Sequence, residues 1–189
     1  MTMAEALRPS MARKRMALLY DVALVTGGSI FVALAARIAI PLPFSPVPIT
    51  GQTLAVLLVG ALLGSKRGAL SLLLYLLEGA LGLPVFAGGT GGLVRLLGPT
   101  GGYLIGFVAA AFVTGWLAEH QWDRRFWSNF VAMLIGNLLI YLFGLSWLAH
   151  YVGLGKVLAL GFYPFIPGDL IKLIIATAAL PSGWKLKEI

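Results

Sequence analysis

The residues best suited to bind a ligand are an aspartate and a lysine in the last apolar stretch of the chain. Asp169 and Lys172 lie at the head of a segment that extends to about Leu180. Pro167 favours a helix start here, because it has a helical φ and lacks an N–H that a first turn would leave unpaired. Residues three positions apart share a helix face, so we expect the carboxylate and the ammonium to point the same way.

The composition predicts that this segment lies in a membrane. Of the 189 residues 59% are hydrophobic and 11% are charged, and the mean hydropathy is +0.93. Soluble domains carry about 25% charged residues, so we expect an integral membrane protein. The net charge of +7 does not indicate nucleic-acid binding, because the basic residues form short clusters between apolar runs. Ionised side chains inside a bilayer are costly, which makes the pair a functional candidate.

Six apolar runs predict an all-α bundle of six transmembrane helices, with one membrane domain over residues 1–189. The predicted spans are Leu18–Ile40, Gly51–Gly64, Ala69–Leu83, Gly101–Ala118, Phe126–Ala149 and Pro167–Leu180. Both termini then lie on one side, with residues 1–16 and 182–189 as terminal segments and residues 17–181 as the bundle. The first run is too long for the apolar core of a signal peptide, so we expect an uncleaved span.

The distribution of lysine and arginine predicts the orientation. Ten of the fourteen basic residues fall on the side of the termini: Arg8, Arg13, Lys14, Arg15, Lys66, Arg67, Arg124, Arg125, Lys185 and Lys187. Arg95 and Lys156 fall on the other side, and Arg37 and Lys172 lie within spans. Cytoplasmic loops carry an excess of lysine and arginine, so both termini are expected in the cytoplasm.

The outer connections hold eight of the ten prolines, and ten of the 24 glycines lie between Gly79 and Gly106. Irregular backbone at membrane depth is tolerated only where it is buried in protein or lines a cavity, so a pocket is expected in the outer half. The predicted polar contacts of the first two connections are Thr50, Gln52, Gly89, Thr90, Gly91, Thr100, Gly101 and Tyr103. Capping of the second span explains Thr50 equally well. Tight turns and close helix packing are the alternative for the glycines.

Polar residues inside the spans have two interpretations. Asn137 and Tyr141 lie one turn apart on the fifth span and either face the ligand or bond another helix. Asp21, Arg37 and Glu78 lie near span ends, where snorkelling or a local ion pair is expected. An ion pair that merely holds the helix entrance is likewise the alternative for the two charges of the sixth span.

The residue types exclude several function classes. There is no cysteine for disulfides, thiolate metal sites or thiol nucleophiles, and no Gly-x-Ser-x-Gly, His-Glu-x-x-His or Walker motif. We therefore predict no catalytic residues, metal site or cofactor, and any ATP-driven step needs another chain. A carboxylate beside an ammonium favours a compact, largely apolar ligand that carries both hydrogen-bond donors and acceptors.

Four motifs in this sequence resemble the BioY biotin transporters, which are the S components of energy-coupling-factor (ECF) importers. They are Pro-Val-Pro-Ile-Thr-Gly-Gln-Thr-Leu at 46–54, Gly-Leu-Pro-Val-Phe-Ala-Gly-Gly at 82–89, Gly-Pro-Thr-Gly-Gly-Tyr at 98–103 and Ile-Pro-Gly-Asp-Leu-Ile-Lys at 166–172. The resemblance covers the chain from the first span onward. It implies an S-component bundle that holds biotin near the outer face, with Asp169 and Lys172 at the ureido head.

The resemblance also implies partners: a transmembrane coupling subunit and ABC-type ATPases in the cytoplasmic membrane of a prokaryote. The contact would run through small residues of the first helix, and Ala35 and Ala39 are the candidates. A self-sufficient permease or channel, which would transport without ATPases, stays open as the alternative. An intramembrane enzyme is disfavoured by the missing catalytic groups.

Overall fold

The computed structural model describes residues 2–6 and 14–187, and most of this part is helical. The helices are α1 (Met3–Ala6), α2 (Lys14–Ala35), α3 (Gln52–Leu63), α4 (Ser65–Ala80), α5 (Leu93–Leu96), α6 (Gly101–Glu119), α7 (Phe126–Val152), α8 (Leu154–Gly161) and α9 (Ile166–Lys187). Two strands, β1 (Ala39–Leu42) and β2 (Ser45–Thr50), lie between α2 and α3. The predicted all-α membrane bundle is confirmed, and its six spans correspond to α2, α3, α4, α6, α7 and α9.

The spanning helices differ in length. Within the described residues, four helical stretches are long and apolar enough to cross a membrane: Arg15–Ala35, Gly101–Glu119, Phe126–Val152 and Leu154–Ser182. Helix α3 has 12 residues and α4 has 16, so at 1.5 Å per residue both are shorter than a hydrocarbon core of about 30 Å. Gly64 with a φ of 90° joins them, a conformation that favours glycine.

Glycines allow helix α6 to pack closely in the centre of the bundle, where it contacts α3, α4 and α7. A Cβ at Gly102 would collide with Trp147 and with the Phe143 carbonyl of α7, and one at Gly106 would press on Ile140. These two glycines, which have small-xxx-small spacing, therefore lie in a helix contact, in line with the packing alternative.

The three long connections meet at one end of the bundle, which we call the loop end. Ser45 Oγ of β2 donates to the Leu160 carbonyl of α8 over 2.7 Å. The Gly88 amide donates to the Ala36 carbonyl over 3.2 Å, which ties the connection after α4 to the end of α2. The loop end is thus a layer of hydrogen-bonded chain over the helices.

The first predicted span is too long, because α2 ends at Ala35 rather than Ile40. Residues 36–38 form a turn, and β1 then pairs antiparallel with β2 in a register that puts Ala39 opposite Thr50. Pro41 disfavours helix at Ile40, so a helix that extends to the predicted end is disfavoured. Ala35 and Ala39 therefore do not share a helix face, and that part of the prediction is wrong.

Two further differences concern the last connection and the last helix. Helix α8 was not predicted, and its eight residues include Lys156 and two glycines, which weaken the helix signal. Helix α9 continues past Leu180 to Lys187, through Pro181.

The opposite end of the bundle is closed by polar contacts. Glu119 Oε1 accepts hydrogen bonds from the Ser65 amide and hydroxyl, each over 2.8 Å. Arg67 and Asp21 form an ion pair of 2.8 Å, so the local pairing predicted for Asp21 is present. Arg8 and Arg13, which entered the orientation count, lie outside the described residues.

Candidate ligand site

The predicted pair lies at the loop end of α9, which begins one residue before Pro167. Lys172 Nζ donates to Asp169 Oδ1 over 3.1 Å and to Thr53 Oγ1 of α3 over 3.0 Å. The Asp169 side chain is 8% exposed and that of Lys172 is 17% exposed. The pair therefore bridges two helices in a nearly water-free position, where an unpaired charge would be very costly.

Helix α7 holds the other oxygen of the carboxylate. Tyr141 donates its hydroxyl hydrogen to Asp169 Oδ2, and Asn137 Nδ2 lies 3.3 Å from the same oxygen. Their one-turn spacing on α7 puts both donors on the face that meets α9. Asn137 thus bonds another helix, which is one of the two interpretations given above. Tyr141 bonds the same helix and also lines the cavity described below.

The hydrogen bonds inside the protein do not exhaust the capacity of the pair. A carboxylate offers about four lone-pair positions, and Lys172, Tyr141 and Asn137 occupy three of those on Asp169. An ammonium has three N–H donors, and Lys172 uses two. One acceptor position and one donor remain, so the pair can bind a ligand group that contains both an N–H and a carbonyl.

A cavity opens from this pair toward the loop end. Its polar lining consists of Thr50, Gln52, Thr53, Thr90, Arg95, Thr100, Tyr103, Tyr141, Asp169 and Lys172. Its apolar lining consists of Pro46, Val47, Pro48, Phe86, Ala87, Leu104, Phe107, Ile140 and Phe165. Strand β2, the connection after α4 and helices α3, α6, α7 and α9 all contribute, whereas α2 and α4 supply no lining residue.

Aromatic contacts fix the α6–α7 side of the cavity. The rings of Tyr103 and Tyr141 meet edge to face with centroids 6.3 Å apart, and Phe162 packs on Tyr141 at 4.8 Å. The Tyr103 hydroxyl donates to the Gly161 carbonyl at the end of α8 over 2.9 Å. Both tyrosines are thereby held in one position before any ligand enters.

Eight of the twelve predicted binding residues line the cavity: Thr50, Gln52, Thr90, Thr100, Tyr103, Tyr141, Asp169 and Lys172. Thr50 Oγ1 also accepts a hydrogen bond from the backbone N–H of Gln52 over 3.3 Å, so Thr50 takes part in the helix start as well. Asn137 is absent from the cavity lining and contacts Asp169 through its side-chain amide. The remaining three are Gly89, Gly91 and Gly101.

Packing explains these three glycines. A Cβ at Gly91 would overlap the Leu83 carbonyl, and one at Gly101 would overlap the Leu96 carbonyl. Gly89 has a φ of 74° and lies against the Arg37 guanidinium. All three permit turns and close approach of main chain, which was the alternative interpretation, and they are absent from the cavity wall.

Several lining residues were not predicted. Arg95 of the short helix α5 entered only the count of basic residues, although a single cation beside Thr100 in a glycine-rich connection is a usable signal. Phe86 and Phe165 are apolar residues in a membrane sequence, where composition gives no way to single them out.

Two charged residues near span ends are bound locally. Glu78 Oε2 accepts from Ser29 Oγ of α2 over 2.5 Å. Arg37 Nη2 donates to the Pro84 carbonyl over 2.9 Å, which fastens the end of α2 to the connection after α4.

Known proteins share this sequence and fold. The model of the BioY family matches residues 7–188 of the chain. The biotin transporter BioY of Rhizobium etli is 44% identical over 156 residues, covering 78% of this chain and 83% of that protein. The probable biotin transporter BioY of Pyrococcus horikoshii is 45% identical over 149 residues, covering 78% and 88%.

A solved structure gives the same result at the level of the fold. The 2.1 Å crystal structure of the S-component for biotin from an ECF-type ABC transporter matches with a TM-score of 0.78 and 28% identity. The match covers 92% of this chain and 95% of that one. The chain therefore belongs to the BioY family, and it has the fold of an S component.

Proposed function

We propose that this chain is the biotin-binding S component of an ECF transporter and takes part in biotin uptake. The three relatives named above are transporters or transporter components rather than enzymes, and all three are named for biotin. The observation that carries the proposal is the largely buried pair of Asp169 and Lys172, which lines the cavity and has one acceptor position and one donor without a partner among the described residues.

Biotin matches these groups at its bicyclic end. Its cyclic urea has one carbonyl, which accepts a hydrogen bond from the remaining N–H of Lys172. It also has two N–H groups, one of which donates to Asp169. Charge-assisted hydrogen bonds in a largely buried site are strong enough to define orientation, so the urea is the buried end of the ligand.

The other end of the ligand is an apolar chain with a carboxylate. The cavity lining includes apolar side chains that can contact this chain, among them Phe86, Phe107 and Phe165. Arg95 lines the cavity and is exposed, so it marks the open end. A guanidinium is the preferred partner of a carboxylate, and we assign Arg95 to the ligand carboxylate.

The proposed orientation puts the loop end outside the cell and both termini in the cytoplasm. The positive-inside count supports it, because the basic connections lie at the opposite end from the cavity. Residues 1–16 and 182–189 would then be cytoplasmic segments of one membrane domain whose bundle spans residues 17–181. The membrane is the cytoplasmic membrane of a prokaryote.

The proposed partners are a transmembrane coupling subunit and ABC-type ATPases, because the chain contains no Walker motif of its own. Ala35 at the end of α2 stays the candidate contact, while Ala39 would contribute from β1 rather than from the same helix face. In the proposed cycle the connections at the loop end close over biotin, and the partner complex then reorients the bundle so that the ligand leaves on the cytoplasmic side.

Two experiments test this function. The first is mass spectrometry of ligand released from the purified chain, which should identify biotin. The second compares biotin uptake into liposomes that contain the chain alone or together with the coupling subunit and ATPases. ATP-dependent uptake only in the complex is expected, whereas uptake by the chain alone would favour a self-sufficient permease.

A further inference from the structure

Tyr75 of α4 is fully buried and is absent from the cavity lining, yet it touches both Gln52 and the connection above the cavity. Its hydroxyl oxygen lies 2.7 Å from Gln52 Nε2 and 3.0 Å from the Val85 carbonyl oxygen. A phenol has one hydrogen to donate, and a carbonyl can only accept. The hydroxyl hydrogen of Tyr75 therefore goes to Val85, and Tyr75 accepts from the amide NH2 group of Gln52.

This arrangement fixes the orientation of the Gln52 amide. If the side-chain amide turned over, its oxygen would need the hydrogen of Tyr75, and the half-buried Val85 carbonyl would lose its donor. The NH2 group therefore faces Tyr75. Within the described part of the chain no group donates to Gln52 Oε1, and Gln52 lines the cavity. The oxygen is left to accept a hydrogen bond from a ligand.

Tyr75 has little freedom to move. The ring of Phe86 meets it edge to face at 5.5 Å with an interplanar angle of 76°. Phe86 in turn lies on Gly79, where a Cβ would overlap its ring. The same Phe86 lines the cavity, so the tyrosine, the connection and the amide form one packed unit.

We propose that Tyr75 is a positioning residue that sets ligand specificity by holding the Gln52 amide oxygen toward the cavity. The proposal rests on the proposed function, in which the ligand has a cyclic urea. Asp169 has one open acceptor position, but a cyclic urea brings two N–H donors. Gln52 Oε1 supplies the second acceptor. A ligand that has an oxygen instead of an N–H at that position would place this oxygen against Gln52 Oε1, and two acceptors cannot form a hydrogen bond.

The test uses biotin and the two cyclic carbamates in which one or the other urea N–H is replaced by oxygen. The wild-type protein should bind both carbamates less tightly than biotin. In Tyr75→Phe the side-chain amide of Gln52 is free to turn its NH2 group toward the ring oxygen of a carbamate ligand. In this variant the affinity for biotin should fall about tenfold. The preference for biotin over one carbamate isomer should also shrink about tenfold, whereas the preference for biotin over the other isomer should persist.

Tyr151→Phe is the matched control, because Tyr151 also donates its hydroxyl to a carbonyl of the same connection, that of Leu97, and does not contact Gln52. It should leave both preferences unchanged. An equal loss of affinity for all three ligands in Tyr75→Phe would overturn the proposal, because it indicates a purely structural role.

A second variant covers failure of Tyr75→Phe to fold. Gln52→Met removes the acceptor itself and should abolish the preference over the same carbamate isomer. Wild-type protein that binds both carbamates as tightly as biotin would overturn the proposal without any variant. Wild-type protein that does not bind biotin would instead refute the proposed function, so the two failures are distinct.

Discussion

Lys172 Nζ lies 3.1 Å from Asp169 Oδ1 on α9, while the other carboxylate oxygen is held by two donors from α7. The carboxylate is therefore fixed from two helices before a ligand binds. Fixed polar groups lose little freedom on binding, which raises affinity without adding contacts. The predictions below separate this arrangement from a pair that only stabilises the helix start.

Tyr141→Phe should weaken biotin binding about fivefold to tenfold while the protein stays folded. The substitution leaves the ring packing intact and removes the hydroxyl donor to Asp169 Oδ2. Titration calorimetry in detergent measures the change. Tyr163→Phe is the control, since Tyr163 is exposed and should tolerate the loss of its hydroxyl. Equal affinities of wild type and Tyr141→Phe would show that the anchoring from α7 does not matter.

Arg95→Gln should reduce the affinity for biotin by about tenfold, because a charge-assisted pair with the ligand carboxylate is lost. The affinity for biotin amide, which is neutral at that end, should hardly change. Fluorescence titration with biotin and with biotin amide measures both affinities. If the substitution weakens both ligands equally, the cation does not meet the carboxylate.

Gly102→Val should destabilise the contact between α6 and α7 by about 1–3 kcal/mol, the usual cost of overpacking. The added side chain would collide with Trp147 and with backbone of α7. Thermal unfolding in detergent measures the effect. Gly27→Ala on α2 is the control, because its Cβ has nothing within 4 Å and should leave the melting temperature nearly unchanged or slightly higher.

Asp123 predicts a pH dependence of stability. It lies between α6 and α7 at the opposite end of the bundle, and burial raises the pKa of its carboxyl, while the hydrogen bond from Trp184 Nε1 at 2.6 Å opposes the shift. A raised pKa in the folded state means that folding disfavours the charged form. Relative to an uncharged side chain, stability falls as pH rises from the unfolded value of about 4 through the folded pKa.

Asp123→Asn removes this titration and keeps an acceptor for Trp184. Its melting temperature should therefore rise relative to wild type as the pH increases from about 4 to 7, as followed by thermal unfolding at several pH values. A difference between the two proteins that stays constant with pH would contradict the assignment.

The sequence predicted the helical bundle and most polar residues of the cavity, because charges and amides are rare in a membrane chain and each needs a partner. Asp169 and Lys172 stood out for this reason. Hydropathy did not locate the end of α2, since Ile38 and Ile40 are apolar whether the chain is helix or strand. Only the prolines that follow carry the signal for the hairpin.

The residues that the sequence did not reveal act through tertiary contacts. Tyr75 is an aromatic residue among the leucines of α4, and its link to Gln52 depends on how α3 packs against α4. The glycines of the connection after α4 stood out in the sequence, but their role did not, because close packing and ligand contact both favour glycine. Coordinates were needed to assign Gly91 and Gly101 to packing.

The most direct test of the central claim is a biotin titration of wild type, Lys172→Ala and Asp169→Asn by calorimetry in detergent. Lys156→Ala is the control, because Lys156 is exposed on α8 and absent from the cavity lining. Loss of either member of the pair should cost about 1.5–3 kcal/mol or more, which is roughly tenfold to hundredfold in affinity. Wild-type affinity in folded Lys172→Ala and Asp169→Asn would contradict the account.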